Sequence, residues 1–282
     1  MKTDGYGQLH IVATPIGNLA DITFRAVKAL READLIAAED TRHSRILLEK
    51  YEIKTPVTSY HEHNKYDKAY ILAEKLKEGK NIALITDAGT PAISDPGQVL
   101  VDICKKEGIL VTSEPGPCAL VTALSISGMP SGRFCFEGFL PADRQAREKI
   151  LASLEKEERT IILYEAPHHL KKTVSQLGER LGDRRMCVCR ELTKTFEEAW
   201  QTSLYDAVKY YETNEPRGEY VLIIEGIDEA EIFAGEKEKW SKMTPQEHLK
   251  FYTDKGIDKK EAMKKMAADL GCSKRDVYRS LL

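Results

Sequence analysis

The run "NIALIT" (81–86) places four apolar residues side by side, and "DAGTPAISDPG" (87–97) follows it at once. A strand with no polar alternation has no face for water, so it belongs in a parallel sheet covered on both sides. The eleven residues after it hold two Gly, two Pro, two Asp, a Thr and a Ser. A plain connection from strand to helix needs only about two to six residues. This loop therefore does more than turn the chain.

The surrounding sequence alternates strand and helix. "LHIVAT" (9–14) and "DLIAAED" (34–40) read as strands on either side of the helical "DITFRAVKALREA". In "NKYDKAYILAEKLKEG", Asn64 is the expected N-cap, Ala69, Leu72, Ala73 and Leu76 form the apolar stripe, and Gly79 is the stop. Asp95 is expected to cap a helix that begins at Pro96 and runs through Cys104. "ILVTSE" (109–114) closes a doubly wound α/β unit over residues 1–115. A second α/β unit, 116–228, opens on the helical "GPCALVTALSISG". Its expected strands are "RFCFEGF", "TIILYEA", "MCVCREL" and "EYVLIIEG", with helices near 143–157, 167–181 and 203–213. Residues 229–282 are an acidic linker or irregular helix followed by a helical module.

With 282 residues, two domains or one large one are expected. A net charge of −3 means that any nucleic-acid contact must come from local basic patches. The start, "MKTDGYGQLHIVATP", has no apolar signal core, and no run reaches membrane-spanning length. The six cysteines show no Cys-x-x-Cys, so buried thiols in a reducing cytoplasm are expected, with Cys187 and Cys189 on one strand face.

In open α/β sheets, ligands bind beyond the carboxyl ends of the strands. Four loops at that edge carry unusual Gly, Pro and charged content: "TPIGNL" (14–19), "EDTRH" (39–43), "DAGTPAISDPG" and "EPGPCA" (114–119). No P-loop and no dinucleotide fingerprint occurs, so the residues alone point to a small, nucleotide-like ligand held largely by main chain. Asp87 could cap backbone N–H groups or bind a polar part of the ligand. Glu39, Asp40, Thr41 and Arg42 read either as an acid-capped helix start or as an Arg clamp for phosphate. His61-Glu62-His63 lacks a third metal ligand and fits a loop near the cleft better; no metal is expected. Glu165 with His168, and Arg190 with Glu191 and Lys194, sit at strand ends as surface ion pairs or a polar cleft wall.

The C-terminal "KKEAMKKMAADLGCSKRDVYRSLL" has a stripe at Ala262, Met266, Ala267 and Leu270, a turn at Gly271 and a cap at Ser273. That is a helix-turn-helix cadence, basic within an acidic chain. It reads as a solvated helix pair or a nucleic-acid contact.

The segments "LHIVATPIGNLADIT", "AAEDTRHSRILL", "ITDAGTPAISDPG", "EPGPCALVTALSISG", "FEGFLP", "YEAPHHL", "CRELTKTFEE" and "GEYVLIIEG", in this order over residues 9–226, resemble the ribosomal RNA small subunit methyltransferase I family of the tetrapyrrole-methylase fold. The resemblance implies two α/β domains with a cleft between them for S-adenosylmethionine. It also implies 2′-O-methylation of a cytidine ribose in the decoding region of 16S rRNA, within the 30S subunit, by a cytoplasmic homodimer. Cofactor contacts are then expected from Pro15, Asp87, Ala88, Gly89, Pro91, Cys118, Ala119, Tyr164 and Leu192. Substrate contacts are expected from Arg42, Tyr60, His61, His168, Arg190 and Lys194, with Glu39, Asp95 and Glu165 as candidate general bases. "TPIGNL" replaces the glycine-rich loop usual in tetrapyrrole methylases and argues against a porphyrin substrate. Where the family more often has Pro-His-Arg, this chain has Pro167-His168-His169, which removes a candidate phosphate contact.

Overall fold

The computed structural model describes residues 5–228, 240 and 243–282. Residues 229–239, most of the expected acidic linker, lie outside the described residues.

The first sheet contains β1 (Gln8–Val12), β2 (Leu35–Ala38), β3 (Val57–Ser59), β4 (Ile82–Ile85) and β5 (Leu110–Glu114) in the order β3-β2-β4-β1-β5. Every pairing in it is parallel. All four β4 residues are buried, as the unbroken apolar run requires. Their alternation supplies two separate cores. Ile82 and Leu84 pack with α3 (Lys65–Lys77) and α4 (Gln98–Lys106), while Ala83 and Ile85 pack with α1 (Phe24–Glu32) and α2 (Thr41–Lys50).

The second sheet has the order β6 (Phe134–Phe139), β7 (Thr160–Glu165), β10 (Tyr220–Ile224), β8 (Arg185–Arg190), β9 (Glu198–Ser203). It is mixed: β6 and β7 are parallel, and the other pairings are antiparallel. One face packs α6 (Arg144–Leu154), α7 (Pro167–Leu181) and α8 (Leu204–Thr213). The other takes α5 (Ala119–Ser127), with Cys187 and Cys189 both buried there as the two-residue spacing predicts. Ile16, from the loop after β1, joins that same cluster and ties the two sheets together.

Three local expectations change. The helix expected from Pro96 begins at Gln98, because Ala92 and Ser94 adopt φ +70° and +63° and bend the chain back until Gly97 meets Ala92. Asn64 occupies the N-cap of α3, but its side chain accepts from the His61 N–H at 2.8 Å instead of capping. β3 and β9 have no apolar run; both are edge strands whose pairing is set by their neighbours.

Among the described residues the C-terminal module contains the helices α9 (Pro245–Thr253), α10 (Lys259–Leu270) and α11 (Lys274–Ser280). Gly271 ends α10 at φ +62°, and a Ser273–Asp276 capping box starts α11. Met266, Ala267 and Val277 form its small core.

Candidate active site

In the first sheet β1 and β4 are neighbours whose connections leave in opposite directions, toward β2 and toward β5. Such a switch point opens a crevice at the carboxyl edge. The loops leaving these two strands are locked together there. Thr14 and Gly89 exchange backbone hydrogen bonds at 2.9 and 3.0 Å, and the buried Thr14 hydroxyl donates to the Thr86 carbonyl at 3.1 Å. Gly89 holds φ +86°, a conformation in which side chains are strained. The Thr90 hydroxyl donates to the Pro117 carbonyl at 3.1 Å, fastening the long loop to the "EPGPCA" segment.

These loops form one wall of a cavity of about 480 Å³. The second sheet supplies the facing wall. There β10 runs antiparallel to β7, so Tyr220, at the start of β10, pairs with Glu165, at the end of β7. Of the residues expected at the site, Glu39, Asp87, Ala88, Gly89, Asp95, Cys118, Ala119, Tyr164, Glu165 and Leu192 all line this cavity. The Tyr164 hydroxyl accepts from the Leu120 N–H at 3.1 Å in the first turn of α5, and burial pushes its ionisation up to about 12. Pro15 instead lines an adjoining cavity of about 240 Å³ that shares Asp87. Pro91 is buried within its loop and does not line the main cavity.

Among the described residues, five carboxylates line the main cavity, Glu39, Asp87, Asp95, Glu165 and Glu219, and no Lys, Arg or His does. Two are satisfied locally. Glu165 accepts from the Thr173 hydroxyl and the Ala166 N–H, and Arg147 donates to that same hydroxyl at 2.7 Å. Glu219 accepts from Lys194 at 2.7 Å. The other three belong to the wall built by the first sheet's loops. Glu39 accepts from Thr86 Oγ1 at 2.6 Å, and Asp87 accepts from the Asp40 N–H at 3.1 Å. Burial, and then the neighbouring Glu39 and Asp87 charges, push the Asp95 carboxyl up to about 7, against a partial offset from Thr86. A cleft of this charge attracts a cation and repels phosphate.

The expected substrate residues lie outside that cavity. Arg42 is exposed and donates to Asp40 at 2.9 and 3.2 Å, while Asp40 also caps α2; this holds the Asp40 carboxyl down at about 2. His61 is half-buried against Asn64, and His168 is exposed in the first turn of α7. Arg190 lies 3.7 Å from Glu198. The Lys194 ammonium is held by Glu191 at 2.9 Å as well as by Glu219, and its stem lies so close over Gly17 that a Cβ there would be 2.5 Å away. Tyr60 is corrected. It is 1% exposed within the core of the first sheet, so its ring cannot stack on a base.

Sequence reasoning missed Ile16, Ile93, Phe139, Glu219, Tyr220 and Val221 as lining residues. Phe139 carried a signal in the "FEGFLP" segment. The "GEYVLIIEG" segment carried the same signal for Glu219, Tyr220 and Val221, but it reads only as a strand, because an antiparallel partner reaches the site by its first residues and not by the loop that follows it. Among the described residues, no three His, Cys, Asp or Glu side chains converge as metal ligands, and no helix is long and apolar enough to cross a membrane.

Residues 8–208 match the family model for tetrapyrrole (corrin/porphyrin) methylases. The solved structure of a diphthine synthase superposes with a TM-score of 0.62 at 14% identity, covering 78% of this chain and 90% of that one, which reports shared fold. The ribosomal RNA small subunit methyltransferase I of Halalkalibacterium halodurans is 46% identical over 98% of this chain and 95% of its own length. The protein of that name from Haemophilus influenzae is 52% identical over 79% of this chain and 80% of its own. On its fold, its cleft and these relatives, the chain belongs to the ribosomal RNA small subunit methyltransferase I family, within the tetrapyrrole methylases.

Proposed function

We propose that the protein transfers a methyl group from S-adenosylmethionine to the ribose 2′-oxygen of a cytidine in the decoding region of 16S rRNA, acting on the 30S subunit as a cytoplasmic homodimer. The acidic cavity carries this reading, because the cofactor presents a sulfonium and an ammonium. The charges of Glu39, Asp87 and Asp95 suit those two groups. The cavity also has apolar wall for an adenosine in Ile16, Leu192 and Val221, with backbone from Ala88, Gly89, Cys118 and Ala119 beside it. Its volume lies within the usual few hundred Å³ of small-ligand sites.

Bound there, the cofactor supplies an electrophilic methyl. The chain's own task is to align the nucleophile and accept its proton. Of the three candidate bases, Asp95 is best suited. Its carboxyl changes state near neutral pH, whereas Glu165 is committed to Thr173 and Ala166. Since the cavity repels phosphate, the RNA backbone would stay at the rim. Arg42, His61, His168, Arg190 and Lys194 are the groups we assign to meet it. Members of the family named for ribosomal RNA support this substrate.

The deciding experiment is transfer of labelled methyl to 30S subunits that lack the modification, followed by mapping of the modified nucleotide. Label on a base, or none on 16S rRNA, would overturn the reading.

A further inference from the structure

Of the large apolar side chains exposed among the described residues, two line the cavity: Ile93 at 41% and Phe139 at 55%. Both are placed by unusual backbone. Ile93 sits between Ala92 and Ser94, at φ +70° and +63°. Non-glycine residues held there are strained, and such strain concentrates at ligand sites. Phe139 follows a register shift between Phe136 and Gly138 where β6 pairs with β7, with Gly138 at φ +62°. Residues 136 and 139 of a regular strand would point to opposite faces. The bulge instead brings both rings edge-on to Tyr164, at centroid distances of 4.8 and 5.6 Å. The two devices also touch, since a Cβ on Gly138 would lie 2.8 Å from Ser94 Oγ. A strained loop beside the first sheet and a bulge in the second thus meet at the cavity and leave two apolar side chains half open to solvent.

We propose that Ile93 and Phe139 form a clamp for the nucleobase of the target nucleotide, on the solvent side of the cofactor. This rests on the rRNA reading above and names the subsite that reading lacks. The charge distribution selects the occupant. A cavity lined by five carboxylates, and among the described residues by no Lys, Arg or His, excludes the phosphate but admits a neutral, flat base. Enzymes acting on a base or its sugar hold the extruded nucleotide between aromatic and aliphatic side chains. Phe139 is fixed on one edge by Tyr164, whose hydroxyl is itself tied to α5, so the ring is pre-oriented.

The test uses the full chain, labelled S-adenosylmethionine and unmodified 30S subunits. Phe139→Leu keeps apolar surface but loses the π-face, and should lower kcat/KM for the 30S subunit about tenfold to a hundredfold, the range of one base–aromatic stack. Phe139→Trp should restore most of that loss. Cofactor affinity, melting temperature and oligomeric state should stay at wild-type values in both. If Phe139→Leu does not fold, Ile93→Ala on the loop carries the same test, with a severalfold loss expected. Wild-type kcat/KM in the variant that folds overturns the clamp. Weakened cofactor binding does so too, by making these side chains part of the cofactor site, and a change in oligomeric state does so by making them an interface. If the wild-type protein itself leaves 16S rRNA unlabelled, the functional reading fails instead, and that outcome is distinct from all of these.

Discussion

Thr14 and Gly89 are joined by a pair of backbone hydrogen bonds, 2.9 and 3.0 Å, across two loops that lie 75 residues apart in sequence. This bridge closes the crevice between β1 and β4 and sets the main chain of the cavity wall. Gly89→Val would place a β-branched residue at φ +86°, at a cost of about 1–3 kcal/mol. The expected result is a lower melting temperature together with at least tenfold weaker S-adenosylmethionine binding by calorimetry. Native affinity in this variant would show that the bridge does not shape the cofactor site.

Asp95 links stability to pH. Its carboxyl is raised from 3.8 to about 7 in the fold. The stabilisation associated with that raised value is therefore complete below 3.8 and is lost as pH rises through about 7. Asp95→Asn cannot ionise, so its melting temperature should exceed the wild-type value by an amount that grows from pH 3.8 to about 7 and then levels off. If Asp95 is the general base, it must be ionised. kcat/KM for S-adenosylmethionine, which reports the free enzyme, should then rise with pH through about 7, and Asp95→Asn should lose about a hundredfold or more. A variant that is both more stable and fully active would remove Asp95 from the chemistry.

Cofactor binding should move the same proton. A cationic ligand beside Glu39, Asp87 and Asp95 favours their ionised forms. Near pH 7, binding should release protons, read as a dependence of calorimetric enthalpy on buffer ionisation heat. The release should vanish in Asp95→Asn. If it persists unchanged, another group carries it.

Arg42 offers a bidentate fork outside the cavity, at present turned toward Asp40. Arg42→Lys keeps the charge and loses the fork. If Arg42 engages a phosphate flanking the target, both Arg42→Lys and Arg42→Ala should lower methylation of 30S subunits. The Ala variant should lose about one to two decades. Cofactor affinity should hardly change. Wild-type methylation by Arg42→Ala would reduce the residue to a partner for Asp40.

The C-terminal module holds its own small core, and among the described residues Lys260, Lys265, Lys274, Arg275 and Arg279 are exposed. Removing residues 240–282 should leave cofactor affinity intact and weaken rRNA binding. The slope of log affinity against log salt should fall by about 0.7–0.9 for each phosphate that is no longer neutralised. An unchanged slope would show that the module does not engage the RNA backbone.

Much of this architecture is local in origin and therefore legible in the sequence. The unbroken apolar run at 82–85 demands a covered parallel strand, Gly271 and Ser273 end and restart helices, and the Gly/Pro loops mark the carboxyl edge. Ten expected site residues, from Glu39 to Leu192, line one cavity; strand direction marked the edge they share, and the family resemblance named Cys118, Ala119, Tyr164 and Leu192. What sequence could not determine depends on partners distant in the chain. Tyr60 is an expected substrate contact until the sheet buries it, since burial is decided by what packs above it. Asp95 is one of three equivalent carboxylates until the fold places Glu39 and Asp87 near it and removes water. Phe139 faces the cavity only because one extra residue in β6 rotates the strand, and the Glu219–Tyr220–Val221 wall arises from an antiparallel pairing across the second sheet. Periodicity records which residues are buried or turn the chain; charge proximity and facing walls exist only once the two sheets have met.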